Sequence, residues 1–170
     1  TEAICGTAVW DGRRIIFSGG NPEAGTWCVN GDGSAANLWK NGVMCYEQSL
    51  LAIQNFVFAV ADNGVAYCWR TVNGTETWKK RLFGGSISAS PLLVRDRLYI
   101  ASQSGTIYVV AASPDRFDLL AENPSGDSIF ASPVAIDDRL YFRTGVGLGP
   151  QRQEYLVAVG RVAAPPQRAE

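Results

Sequence analysis

Short apolar segments, each closed by a turn residue, recur along the whole chain. Strand-like runs are predicted at 8–10, 14–18, 26–29 and 36–39, and again at 50–53, 56–61, 65–69 and 75–80. Further runs follow at 92–94, 98–102, 106–111 and 116–121, and at 134–136, 140–143 and 154–159. They are rich in β-branched and aromatic residues and bounded by Gly, Asn, Asp and Pro, the signature of strands and turns. Phe56-Val57-Phe58-Ala59-Val60 is apolar at every position, which suits a strand covered on both faces. No 11-residue window carries a helical stripe of apolar positions.

The pattern repeats. Residues 86–100 read SISASPLLVRDRLYI and residues 128–142 read SIFASPVAIDDRLYF, with nine of fifteen positions identical at an offset of 42. Each copy joins two strands through a two-residue polar turn, Arg95-Asp96 or Asp137-Asp138, a β-hairpin signal. Backwards along the chain the turn falls on Gly12, Asn55, Asp96 and Asp138, at steps of 43, 41 and 42, and these are assigned its positive-φ position. A second series of turns falls at Gly64 and Gly105, and a third at Asp32-Gly33, Asn73-Gly74 and Pro114-Asp115. A fixed period near 42 with four strands per period predicts an all-β fold, a β-propeller of antiparallel blades. The blades span about 5–46, 47–87, 88–129 and 130–160, and the fourth stops short of a clear outer strand. Residues 161–170, with Pro165-Pro166, read as a tail or linker. Four blades are about half of a seven- or eight-bladed ring, so the chain reads as part of such a ring or as a half that pairs.

Composition narrows the chemistry. The chain of 170 residues is 46% hydrophobic and 18% charged, so disorder does not dominate it. Fifteen Lys and Arg against sixteen Asp and Glu leave no basic stripe for nucleic acid. No apolar run is long enough for a transmembrane helix. Thr1 is followed by no charged-then-apolar leader, so the chain reads as mature or trimmed. Zero histidines remove the usual general base and every His-ligated metal. Cys5, Cys28, Cys45 and Cys68 form no C-x-x-C pair, and the spacing leaves two readings open: buried thiols in strands, or a disulfide.

Residues 65–79, VAYCWRTVNGTETWK, set Tyr67, Asn73-Gly74 and Trp78 in one unit, and Trp39 holds the parallel place in the first blade. Leu119-Leu120 is assigned that place in the third. This unit resembles the repeat of PQQ-like β-propellers, Y-A-x-D-x-x-T-G-x-x-x-W, with Arg70 where an Asp is usual. The Ala89-Ser90-Pro91 and Ala131-Ser132-Pro133 hairpins are similar to that family too, and the resemblance covers about residues 5–160. WD40 repeats fit less well, because the Trp10-Asp11 pair does not recur, and Kelch repeats because Gly19-Gly20 and Gly84-Gly85 fall at different blade positions. Trp39 and Trp78 are expected to be anchors between blades. Asn73-Gly74-Thr75 matches a glycosylation acceptor but reads as a turn.

The resemblance implies a non-catalytic binding or scaffold module in the periplasm or outside the cell. Its partner would be another protein or further blades of the same propeller, a homo-dimer included, with no catalytic residue, cofactor or metal. Two alternatives stand beside it: a self-associating half-propeller, and a fragment of a quinoprotein dehydrogenase holding PQQ and Ca²⁺. The latter family uses vicinal cysteines, which this sequence lacks. Repeat equivalence places Tyr46, Ser88, Ser90, Phe130 and Ser132 near one rim of the axis, as candidate partner-binding residues. The longer loops at 19–25 and 145–153 are further candidates.

Overall fold

The computed structural model describes residues 4–34 and 36–160 and arranges them as four antiparallel sheets in chain order. Blade one is β1 (Val9–Trp10), β2 (Arg14–Gly19), β3 (Gly25–Asn30) and β4 (Asn37–Asn41). Blade two is β5 (Leu51–Ile53), β6 (Phe56–Val60), β7 (Val65–Arg70) and β8 (Glu76–Arg81). Blade three is β9 (Leu92–Val94), β10 (Arg97–Ala101), β11 (Thr106–Ala111) and β12 (Leu119–Pro124). Blade four has three strands among the described residues: β13 (Val134–Ile136), β14 (Arg139–Val146) and β15 (Gln153–Gly160). The only helical turn described is a 3-10 turn at Gly149–Gln151 in the β14–β15 loop. The fold is an all-β propeller. The tail expected at 161–170 lies outside the described residues.

The core sits between the sheets. Val57 and Ala59 on β6 pack with Trp69 against Ile16 and Cys28 of blade one. Their neighbours Phe58 and Val60 point the other way, with Ala66 and Cys68, against Leu98, Ile100, Tyr108 and Val110 of blade three. Blade two is thus apolar on both faces because each face meets a neighbour. Between blades three and four, Ala101 and Ile107 meet Phe142, with Tyr99, Leu140 and Val157 at the margin.

Tryptophans tie the outer strands across these seams. The Trp39 indole N–H donates to the Thr71 carbonyl at 2.8 Å, and that of Trp78 donates to the Ser113 carbonyl at 2.9 Å. Each ring therefore leaves its own blade and docks on the next. Trp39 lies flat against Gly74 (φ +69°), where a Cβ would stand 2.7 Å from the ring carbon Cδ2; only glycine serves both the turn and the ring. Trp78 meets Phe117 edge to face at 5.5 Å. Asn73 folds back to accept the Thr75 N–H through its side chain at 3.1 Å, which accounts for its turn.

Two expectations need correction. In the hairpin turns the left-handed residue is the first of the pair, Gln54, Arg95 and Asp137 (φ +53° to +56°), with Gly12 in the same role. Asn55, Asp96 and Asp138 are the second residue of the same two-residue turns, which the β5–β6, β9–β10 and β13–β14 registers leave at 54–55, 95–96 and 137–138. The tryptophan place in blade three belongs to Ala121, opposite Val109, as Trp78 is opposite Cys68 and Trp39 opposite Cys28. A bulge after Val109 shifts Leu119 beyond it, and Leu119 and Leu120 are exposed.

All four cysteines are free thiols, so the disulfide reading does not hold in this structure; Cys28, Cys45 and Cys68 are buried and Cys5 is exposed. Burial pushes the Cys28 and Cys68 thiols up to about 11 and Cys45 to about 12. The reactive thiolate is therefore scarce at these three sites near neutral pH. A disulfide-exchange reagent at about pH 8 should titrate one thiol in the folded chain and four after denaturation. Rapid labelling of a second thiol would place a buried cysteine at the surface. Trp78→Ala should cost about 3–5 kcal/mol in chemical denaturation, whereas Trp78→Phe, which loses chiefly the indole hydrogen bond, should cost about 1 kcal/mol. An alanine variant as stable as the parent would deny this ring its anchoring role.

Candidate functional site

The axis-side rim is built from the segments that lead into each innermost strand. These segments cannot pair as sheet, so their amides need partners elsewhere. They find them one blade on: the Thr7 N–H donates to Ser49 Oγ at 2.9 Å, Ser49 N–H to Ser90 Oγ at 2.9 Å, and Ser90 N–H to Ser132 Oγ at 2.8 Å. The steps of 42, 41 and 42 residues make this one contact repeated three times. Of the five candidate rim residues, the structure joins Ser90 and Ser132 directly. Ser88 accepts instead from Gln103 Nε2 at 2.6 Å, and the Tyr46 amide donates to Asp62 Oδ1 at 2.9 Å. Gln48 Nε2, itself buried, shares Asp62 Oδ1 at 2.9 Å and also donates to the Val60 carbonyl.

Phe130 behaves differently: it is 55% exposed and lines an open recess with Ser128, Ala131, Arg143, Arg152 and Glu154. Glu154 accepts from Arg152 Nε at 2.7 Å and from Arg143 Nε at 3.1 Å. The Arg152 guanidinium holds the Glu154 carboxyl below the usual carboxylate range. Arg152 lies against Gly145, where any Cβ would collide with its guanidinium. The recess is a charged, aromatic-edged surface on the last blade. Sequence reasoning missed Thr7 and Ser49, although their spacing from Ser90 and Ser132 was readable, and it missed the Arg143–Glu154–Arg152 trio, which a loop brings together.

A different seam joins blades one and two near Asp11, whose side chain is almost fully buried. Burial alone would raise its pKa. Hydrogen bonds from Thr71, from the Arg13 and Arg14 amides and from the Arg14 guanidinium at 2.9 Å outweigh that and pull it down to about 2. This carboxylate is spent on structure.

A hard cation needs several converging oxygens, and among the described residues no three His, Cys, Asp or Glu side chains come together. Among the same residues no helix is long and apolar enough to cross a membrane.

Residues 34–116 match the PQQ_2 family, described as outer membrane protein assembly factor BamB. No curated protein matches the chain in sequence. Among solved structures, BamB from Moraxella catarrhalis superposes with a TM-score of 0.66 at 12% identity, over 83% of this chain and 40% of that one. Quinohemoprotein alcohol dehydrogenase from Comamonas testosteroni gives 0.67 at 13% identity, over 85% of this chain and 29% of that one. The computationally designed Ika4 protein gives 0.67 at 14% identity, over 92% and 93% of the two chains. This chain thus spans well under half the length of the natural relatives, and likeness at such identity concerns the fold. The chain is thus a β-propeller, and its residues 34–116 are similar to the PQQ_2 repeat.

Proposed function

We propose that this chain is a non-catalytic propeller module that works by binding protein, in the periplasm or outside the cell. The observation that carries the reading is the outward face of blade four. It exposes Val134, Ile136 and Leu156, the last at 78%, beside the Phe130 recess. Apolar side chains gathered on one sheet face favour a partner that covers them. Of the five rim residues, Ser90 and Ser132 are absorbed in the seams, and Phe130 is the proposed contact residue. The match to a family described as an assembly factor supports the same direction.

The competing reading, a quinoprotein dehydrogenase fragment, draws on the likeness to a quinohemoprotein enzyme. Titration with PQQ and Ca²⁺, followed by absorbance and calorimetry, separates the two. The module should take up neither saturably. Stoichiometric, calcium-dependent quinone uptake would overturn the proposal.

A further inference from the structure

Each internal seam has a place on its outer side for one tryptophan, and the third seam lacks the tryptophan. Trp39 and Trp78 sit opposite Cys28 and Cys68 on the outer strands of blades one and two, and Ala121 sits opposite Val109 at the same place in blade three. Alanine offers one methyl group where the other two seams hold an indole.

The walls around that place record the difference. Ile16, Phe58 and Tyr99 stand opposite Cys28, Cys68 and Val109 on the second strand of each blade. Ile16 packs with Trp39, and Phe58 meets Trp78 at 5.9 Å. These two are 0% and 3% exposed, whereas Tyr99 is half-buried. On the facing blade, Val57 and Leu98 are 0% and 2% exposed, and the equivalent Leu140 is half-buried. Opposite Leu140, Val159 is 54% exposed, where Trp69 and Val110 are closed to 2% and 0%.

Leu140 and Val159 turn toward blade three, so a further strand at the edge of β15 would border them without roofing them. The rest of the seam is closed by Ala101, Ile107, Ile129 and Phe142. The opening is thus local to the tryptophan place, and both of its walls belong to described blades.

The other seams show what such a place takes. Trp78 meets Phe117 edge to face at 5.5 Å and lines one small void with Phe58 and Val110. Residues 1–3, 35 and 161–170 include no aromatic that could fill the third place. Leu120, the extra residue of the bulge beside Ala121, is 46% exposed and adds apolar surface there.

We propose that the third seam is a docking slot for a tryptophan side chain carried by a partner protein. Tyr99 and Ala121 of blade three and Leu140 and Val159 of blade four hold the ring. A buried aromatic anchor in a pocket is where protein partners concentrate their binding energy. The slot is a second surface, on the opposite face of blade four from Leu156, and it stands without the first.

A peptide copying residues 74–81, which carries Trp78, tests the slot when titrated into the 170-residue chain and followed by NMR. Saturable shifts are expected at the methyl groups of Ala121, Leu140 and Val159, with those of Val134 and Leu156 unmoved. The same peptide with alanine for tryptophan should not bind. N-acetyltryptophanamide should reach the same methyl groups about tenfold more weakly, because it lacks the flanking contacts. Ala121→Trp, which supplies the ring from within, should abolish the response to peptide and raise the denaturation midpoint. Ala121→Leu, a smaller filling, should weaken binding with an unchanged far-ultraviolet spectrum. No saturable shifts, binding that ignores both Ala121 variants, or shifts confined to the Leu156 face would each overturn the slot. N-acetyltryptophanamide binding as tightly as the peptide would overturn the protein partner and point to a small aromatic ligand. None of these outcomes bears on quinone uptake, so the two proposals fail separately.

Discussion

A sheet that is apolar on both faces cannot stand in water by itself, and this constraint organises the molecule. Val57 and Ala59 need blade one while Phe58 and Val60 need blade three. Fully burying one such side chain contributes about 1.5–3 kcal/mol, and each seam buries several. Stability is then a sum over neighbours more than a property of any one blade.

Apolar contact is non-directional, and something else must set how one blade meets the next. The amide-to-serine contacts at the axis and the indole-to-carbonyl contacts at the rim do this. A hydrogen bond adds about 0.5–1.5 kcal/mol net, less than the apolar term, so its main effect here is registration. Both kinds of bond satisfy groups that the sheet ladders leave over: amides before the innermost strand, and carbonyls after the third strand. Blade three, with Ala121 where a tryptophan would dock, keeps the axial bond through Ser90 and Ser132 and loses the outer one.

Much of this architecture was legible in the sequence, because it is periodic. The duplicated hairpin at 86–100 and 128–142 gave the repeat length, and the two-faced run at 56–60 gave the burial. What stayed hidden depends on one-residue choices. The left-handed residue of the turn is Gln54 and not Asn55, and the bulge after Val109 displaced Leu119 from the tryptophan place. Side-chain identity did not reveal either. The rim residues divided for a similar reason: Ser90 and Ser132 share a seam through their spacing, whereas Ser88 turns to Gln103. The Arg143–Glu154–Arg152 group was beyond sequence reach, since the β14–β15 loop alone decides that these charges meet.

The central claim is that neighbouring blades are joined by the same axial amide-to-hydroxyl contact at every seam, with an indole-to-carbonyl contact added at the first two. Hydrogen exchange followed by NMR reads those contacts one proton at a time. The indole protons of Trp39 and Trp78 and the amide of Ser49, none of them part of a sheet ladder, should exchange as slowly as the flanking strands and far more slowly than the exposed Trp10 indole. Exchange of these protons at the rate of Trp10 would contradict the account.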